Sequence, residues 1–97
     1  MRIIARKTLR DFWKKHPDAE AALKAWFRDM EQANWAKPAD ILRVYATASI
    51  INNQRVVFNI RGNHYRVVVV INYAYRIMYI RFVGTHKEYD LIDATTI

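Results

Sequence analysis

Tyr65-Arg66-Val67-Val68-Val69-Val70-Ile71-Asn72 contains four consecutive valines and an isoleucine, and nothing else in the chain restricts the fold so strongly. β-branched side chains crowd a helical turn and fit a pleated strand, so the run from His64 to Tyr73 reads as a central strand. Apolar residues at both parities call for cover on both faces. Arg55-Val56-Val57-Phe58-Asn59-Ile60 precedes it and Arg76-Ile77-Met78-Tyr79-Ile80-Arg81-Phe82-Val83 follows, which gives a three-stranded meander.

The connections set the register. Gly62-Asn63 is a two-residue hairpin signal, because either residue tolerates the positive φ of a tight primed turn. Arg61 then faces His64, Asn59 faces Arg66 and Val57 faces Val68 on a side that reads as polar. Ile60 faces Tyr65, Phe58 faces Val67 and Val56 faces Val69 on an apolar side. A second two-residue turn at Ala74-Tyr75 places Arg81 beside Val68 and continues the apolar side through Met78, Ile80 and Phe82. The third strand ends near Arg66, so Thr85 to Asp90 emerges beside Asn59, Arg61, His64 and Arg66.

Upstream, Arg2 to Ala5 suits an edge strand. Thr8 with Asp11 three residues on resembles a shortened capping box, so a helix is expected from there to His16, with Leu9, Phe12 and Trp13 inward. Pro17 fits the start of a second helix whose N-terminal end is favoured by Asp18 and Glu20. Ala19, Ala22, Leu23, Trp26, Phe27 and Met30 share one of its faces, and the two helices form a hairpin on the apolar side of the sheet. Trp13, Trp26 and Phe27 are therefore core residues. Lys37-Pro38-Ala39-Asp40 marks a break, with a short helical turn through Ile41, Leu42 and Val44. Ala46 to Asn53 reads as a connection, with a turn at Asn52-Asn53. The whole is an α+β two-layer fold, an N-terminal strand and helical hairpin packed on an antiparallel sheet, in one domain spanning 1–97.

The chain has no cysteine, which excludes disulfides and thiolate metal sites and favours a cytoplasmic setting. No apolar run approaches the roughly 20 residues of a membrane span, so no membrane contact is expected. The formal charge is +7. Residues 1 to 16 carry six basic and one acidic residue, 17 to 45 four and five, and 46 to 97 six and three, so the excess lies on the first helix and the sheet. A basic surface suits a polyanion such as nucleic acid, and serves equally for solubility or an acidic protein partner.

With only Gly62 and Gly84 there is no glycine-rich phosphate loop, and no metal-ligand or cofactor spacing occurs. Ser49 is the sole serine and has no nucleophile motif around it. What remains is a cluster of Arg, Lys, His, Tyr and Asn at the open end of the sheet. Such a set suits phosphodiester chemistry, in which cations neutralise phosphate and His, Tyr or Lys exchange protons. Each member also has a plainer reading: His64 and His86 as hydrogen-bonded loop residues, Asn59 as a partner for Arg66, Tyr89 as packing on the sheet, Asp90 as a cap. Arg66 is the more informative, since a guanidinium within a valine run is costly unless its face is wet or meets an anion.

Val57-Phe58-Asn59-Ile60-Arg61-Gly62-Asn63-His64-Tyr65-Arg66-Val67 and Tyr79-Ile80-Arg81-Phe82-Val83-Gly84-Thr85-His86-Lys87-Glu88-Tyr89-Asp90 together resemble the HigB family of bacterial type II toxins. Trp35 to Asp40 and Asn52 to Arg55 fit the same pattern, so the likeness covers nearly the whole chain. The resemblance implies a RelE-like fold and a metal-independent endoribonuclease that cuts messenger RNA on the ribosome, neutralised by a HigA-type antitoxin with a helix-turn-helix domain. It further implies Arg66, with Arg61 or Lys87, for phosphate stabilisation, His86 and Tyr89 for proton transfer, and Asn59 for orientation, with His64 and Arg81 as additional RNA contacts. Glu88 and Asp90 stand as alternative bases or as groups that tune neighbouring cations. Two other classes compete: a ParE-like toxin that acts on DNA gyrase without cutting RNA, and a basic RNA-binding module, for which Tyr79 and Tyr89 are the available stacking residues.

Overall fold

The structure is a computed structural model describing every residue from Met1 to Ile97. Its elements in chain order are β1 (Arg2–Ile4), α1 (Arg6–Lys15), a 3₁₀ turn (Pro17–Ala19), α2 (Glu20–Gln32), α3 (Pro38–Val44), β2 (Ser49–Ile50), β3 (Arg55–Ile60), β4 (Tyr65–Asn72), β5 (Ile77–Thr85) and α4 (His86–Tyr89). The valine run is the central strand of a five-stranded sheet ordered β1-β5-β4-β3-β2. The sheet is mixed, because β1 lies parallel to β5 while all other pairs are antiparallel. Two residues of the expected connection, Ser49 and Ile50, form the extra edge strand β2 against Val57 and Val56.

The first hairpin has the expected register, with Asn59 opposite Arg66, Val57 opposite Val68 and Ile60 opposite Tyr65. Its turn differs in detail. Arg61 and Gly62, rather than Asn63, take positive φ, at 52° and 65°. Asn52 makes the expected turn before β3 by accepting hydrogen bonds from the Gln54 and Arg55 amides, each at 2.9 Å.

The second hairpin keeps the expected pairing only from Asn72↔Ile77 to Val69↔Ile80. A β-bulge between Val68 and Val69 then makes Arg81 an extra residue, and Val68 faces Phe82. A bulge changes the side on which every later residue emerges. Phe82 thus leaves the helix-covered face expected for it and packs with Val57, Val68 and Ala94, whereas Val83 joins the main core.

α1 begins two residues before the expected cap. Ala5 is the extended residue before it, Thr8 lies inside its first turn, and Asp11 pairs with Lys7 at 2.9 Å. α1 and α2 form the expected layer on one face of the sheet, where Leu9, Phe12, Trp13, Leu23, Trp26 and Met30 meet Val56, Phe58, Val67, Val69, Ile71 and Met78. Each fully buried aliphatic or aromatic side chain there contributes roughly 1.5 to 3 kcal/mol. Trp13 and Trp26 are buried as expected, and Phe27 is partly so. The second face is not open along its length. Ile92, Ala94 and Ile97, from the segment after α4, pack with Ile51 over Val57 and Val68.

Candidate active site

The end of the second face near the first hairpin stays accessible, and there β5 runs into α4. Arg66 lies in a row with Asn59 on β3 and Gly84 on β5. Its Nη1 donates to the backbone oxygens of Asn63 at 3.1 Å and Tyr65 at 3.4 Å, and its guanidinium sits 5.8 Å from the centroid of the Tyr89 ring. No carboxylate pairs with it. Carbonyls and a ring face orient the group without cancelling its charge, and most of its five N–H donors remain for an anion. Tyr89 in turn leans on Phe82, with ring centroids 6.5 Å apart.

Gly84 keeps this stack in place by having no side chain. A Cβ there would fall 2.5 Å from Cζ of Phe82 and 3.2 Å from Cβ of Glu88.

α4 is one turn long and is fixed by a reciprocal cap. The Thr85 hydroxyl accepts from the Glu88 amide at 3.1 Å, and Glu88 Oε1 accepts from the Thr85 amide at 2.8 Å. The bond from the Thr85 amide is the main reason the Glu88 carboxyl is held below the usual range. Glu88 therefore serves as the cap of the turn that carries His86, Lys87 and Tyr89.

His86, the first residue of α4, docks through its amide onto the His64 backbone oxygen at 3.1 Å. Its Nδ1 stands 3.2 Å from Oδ2 of Asp90, and both side chains are more than half exposed. A carboxylate on one imidazole nitrogen sets the ring's orientation and leaves Nε2 free to exchange a proton. Lys87 is exposed beside it. His64 Nδ1 lies 2.8 Å from the Arg61 oxygen, which tethers that ring to its own turn.

The remaining expected residues are dispersed. Asn59 donates through Nδ2 to the Thr47 oxygen at 3.2 Å, so it ties the β2 side to the sheet while still facing Arg66. Arg61 does not join the cluster. The left-handed backbone at Arg61 breaks the strand alternation from which its side had been inferred, and its Nη1 reaches Asp18 at 3.2 Å. Arg81, at the bulge, lies further along the second face in a depression shared with Arg55, Val70 and Tyr79.

Asp18 has a part that its position in the sequence does not signal. Besides Arg61 it accepts a 2.6 Å bond from the Tyr65 hydroxyl, which is the main cause of its carboxyl lying below the usual range. That pair fastens the start of the second helical segment to the hairpin beneath Arg66. Only a long-range pairing could have revealed it, and Gly84 likewise becomes informative only once the register places it beside Arg66.

Comparison with known proteins places the chain in a family. Residues 19–92 match the family model HigB_toxin, described as the RelE-like toxic component of a toxin-antitoxin system. The chain is 32% identical over 96 residues to the mRNA interferase toxin HigB of Escherichia coli K12, covering 97% of this chain and 92% of the other. It has the same identity and coverage with the mRNA interferase HigB of Shigella flexneri. A more distant mRNA interferase HigB, from Escherichia coli O6:H1, is 23% identical over 92 residues, covering 93% of this chain and 89% of the other.

Proposed function

Because the chain belongs to the HigB family of RelE-like toxins, we propose that it is an mRNA interferase, a metal-independent endoribonuclease that cuts transcripts during translation. The observation that carries this reading is the Arg66 guanidinium, oriented by Tyr89 and backbone oxygens but paired with no acid, at the end of the sheet where α4 brings His86 and Lys87. An uncancelled cation beside exchangeable protons is what attack of a ribose hydroxyl on the adjacent phosphate requires.

In the proposed reaction the ribose 2′-oxygen attacks the adjacent phosphorus as its proton leaves to a base, and the 5′-oxygen departs with a proton from an acid. The products are a 2′,3′-cyclic phosphate and a free 5′-hydroxyl. Arg66 and Lys87 stabilise the charge gathered on the non-bridging oxygens. His86, held by Asp90, and Tyr89 move the protons, and Asn59 faces the phosphate-binding row. His64 and Arg81 contact RNA away from the bond that breaks, while Arg61 supports the site through Asp18.

The partners in this reading are mRNA on the ribosome and a HigA-type helix-turn-helix antitoxin that presents acidic surface to a +7 chain. The setting is the cytoplasm, and no helix is long and apolar enough to cross a membrane. The test is induction of the protein alone followed by primer extension on cellular transcripts. New 5′ ends within translated regions are expected. Arrested growth with intact transcripts overturns the nuclease reading in favour of a target such as gyrase.

A further inference from the structure

Arg55, Val70 and Tyr79 lie side by side across β3, β4 and β5 on the second face, and Arg81 completes a depression of about 370 Å³ around them. Arg81 follows Tyr79 onto this face by alternation, and the bulge adds Phe82 to it, where regular pairing would have turned Phe82 inward. No acidic residue lines the depression. Arg81 makes no ion pair and is exposed. Arg55 donates through Nη2 to the Ile97 oxygen at 3.1 Å, yet its Nε is buried with no hydrogen-bond partner. Tyr79 is one of the few large apolar side chains left exposed on the whole chain.

This row is collinear with the candidate active site. Val70 follows Arg66 on the same strand by four residues, and both project from the same face, so the rows stand about 13 Å apart at a rise of about 3.3 Å per residue. The segment carrying Ala94 and Ile97 covers Val68, which lies between them on β4, and the side of β3, where it meets Val57 and Arg55. The side of β5, with Arg81 and Tyr79, is left exposed.

We propose that Tyr79, Arg81, Arg55 and Val70 form a second nucleotide-binding subsite that holds the messenger strand beyond the bond being cut. This rests on the ribonuclease reading and adds to it. An aromatic face next to an aliphatic side chain stacks a base of any identity, and the exposed Arg81 guanidinium, which has no acidic partner, holds its phosphate. A protein partner would use the apolar area equally well but gives no reason for an exposed guanidinium without an acidic neighbour on the face that carries Arg66. The subsite fixes the strand's direction across the sheet and contributes affinity more than rate.

The test uses the purified full chain and 2′-O-methylated oligoribonucleotides of graded length, which bind but cannot be cut, read by fluorescence anisotropy. Affinity is expected to step up once the oligonucleotide spans both rows. Tyr79→Ala removes the step, weakening the longer ligands about tenfold, and Tyr79→Phe retains it. Arg81→Gln weakens the longer ligands and lowers the salt dependence of their binding. On translating ribosomes Tyr79→Ala raises KM with little change in kcat. The proposal is overturned if the wild type shows no length step, if folded Tyr79→Ala retains the step, or if these substitutions weaken only antitoxin binding. A protein that shows the step but cuts no transcript keeps the subsite and loses the nuclease reading, so the two fail separately.

Discussion

The guanidinium of Arg66 rests 5.8 Å from the centre of the Tyr89 ring, across the junction between a sheet strand and the last helical turn. The contact joins the residue best placed to hold a phosphate to one of those proposed to move a proton. Arg66→Ala is predicted to reduce mRNA cleavage by roughly 10²- to 10³-fold, the scale of removing one charge-stabilising donor. It should leave the circular dichroism spectrum and melting temperature near wild type, because Arg66 has no ion pair to lose. Unaltered cleavage by a folded Arg66→Ala protein would place the phosphate site elsewhere.

For His86, held through Nδ1 by Asp90 at 3.2 Å, substitution by Ala is predicted to slow cleavage by roughly 10²- to 10⁴-fold. Asp90→Asn should cause a smaller loss, since it disturbs orientation and keeps the ring. A proton-moving imidazole makes the rate depend on pH across neutrality, and one that only positions RNA does not. Rate against pH for wild type and His86→Ala distinguishes these roles.

Gly84→Ala tests the close packing behind Arg66. The added methyl must push the Phe82 ring from a position only 2.5 Å away, and Phe82 supports Tyr89. The expected result is lower cleavage with a loss of about 1 to 3 kcal/mol in stability from overpacking. Adding Phe82→Leu should recover part of both. If the double variant is as impaired as the sum of the singles, the ring contact is not the cause.

Acid stability should report on Asp18. Its carboxyl titrates lower in the folded chain, chiefly because of the Tyr65 hydroxyl, so the folded state favours the ionised form. That contribution is complete above the unfolded value, near about 3.9, and is lost as pH falls through the folded value. Asp18→Asn is predicted to melt lower at neutral pH and to show a shallower further fall below about pH 4. Parallel melting curves for the two proteins across that range would rule the contribution out.

Trp26→Ala should also abolish toxicity, by a different route. Trp26 is 2% exposed and meets Phe58 edge to face, so its removal leaves a cavity costing roughly 3 to 5 kcal/mol. Thermal melting should show the loss directly, in contrast to Arg66→Ala and His86→Ala.

The parts legible in the sequence are those set by local chemistry. The valine run marked β4, Gly62-Asn63 gave the pairing of Asn59 with Arg66, and the aromatic periodicity of α1 and α2 identified their inward faces. The arrival of the Thr85 turn beside Arg66 followed from strand lengths alone. The misreadings came from choices that alternation does not record. Ser49 and Ile50 are too few to show a pattern, and Arg61 takes a left-handed backbone despite its side chain. Across the bulge, Ile80, Phe82 and Val83 are all apolar, so either phase looked equally good. Asp18 does stand in the first turn of the second helical segment, but the partners that bond it lie more than forty residues away and leave no local mark.

Because β5 changes phase at Arg81, its two halves obey opposite rules of which residue faces the helices. A side chain in this strand can be exchanged with local effect, but only the bulge residue can be lost without reversing the faces beyond it. Pairing Arg81 regularly with Val68, without the bulge, would turn Phe82 and Gly84 toward the helices and Val83 and Thr85 outward, and deliver the α4 turn to the hairpin on the wrong side. An insertion before Ile80 would need a matching deletion before Gly84 to leave α4 in place. Related sequences should therefore differ in composition along Ile77–Thr85 far more readily than in length, and a one-residue gap placed there anywhere but at the bulge is grounds for doubting the alignment.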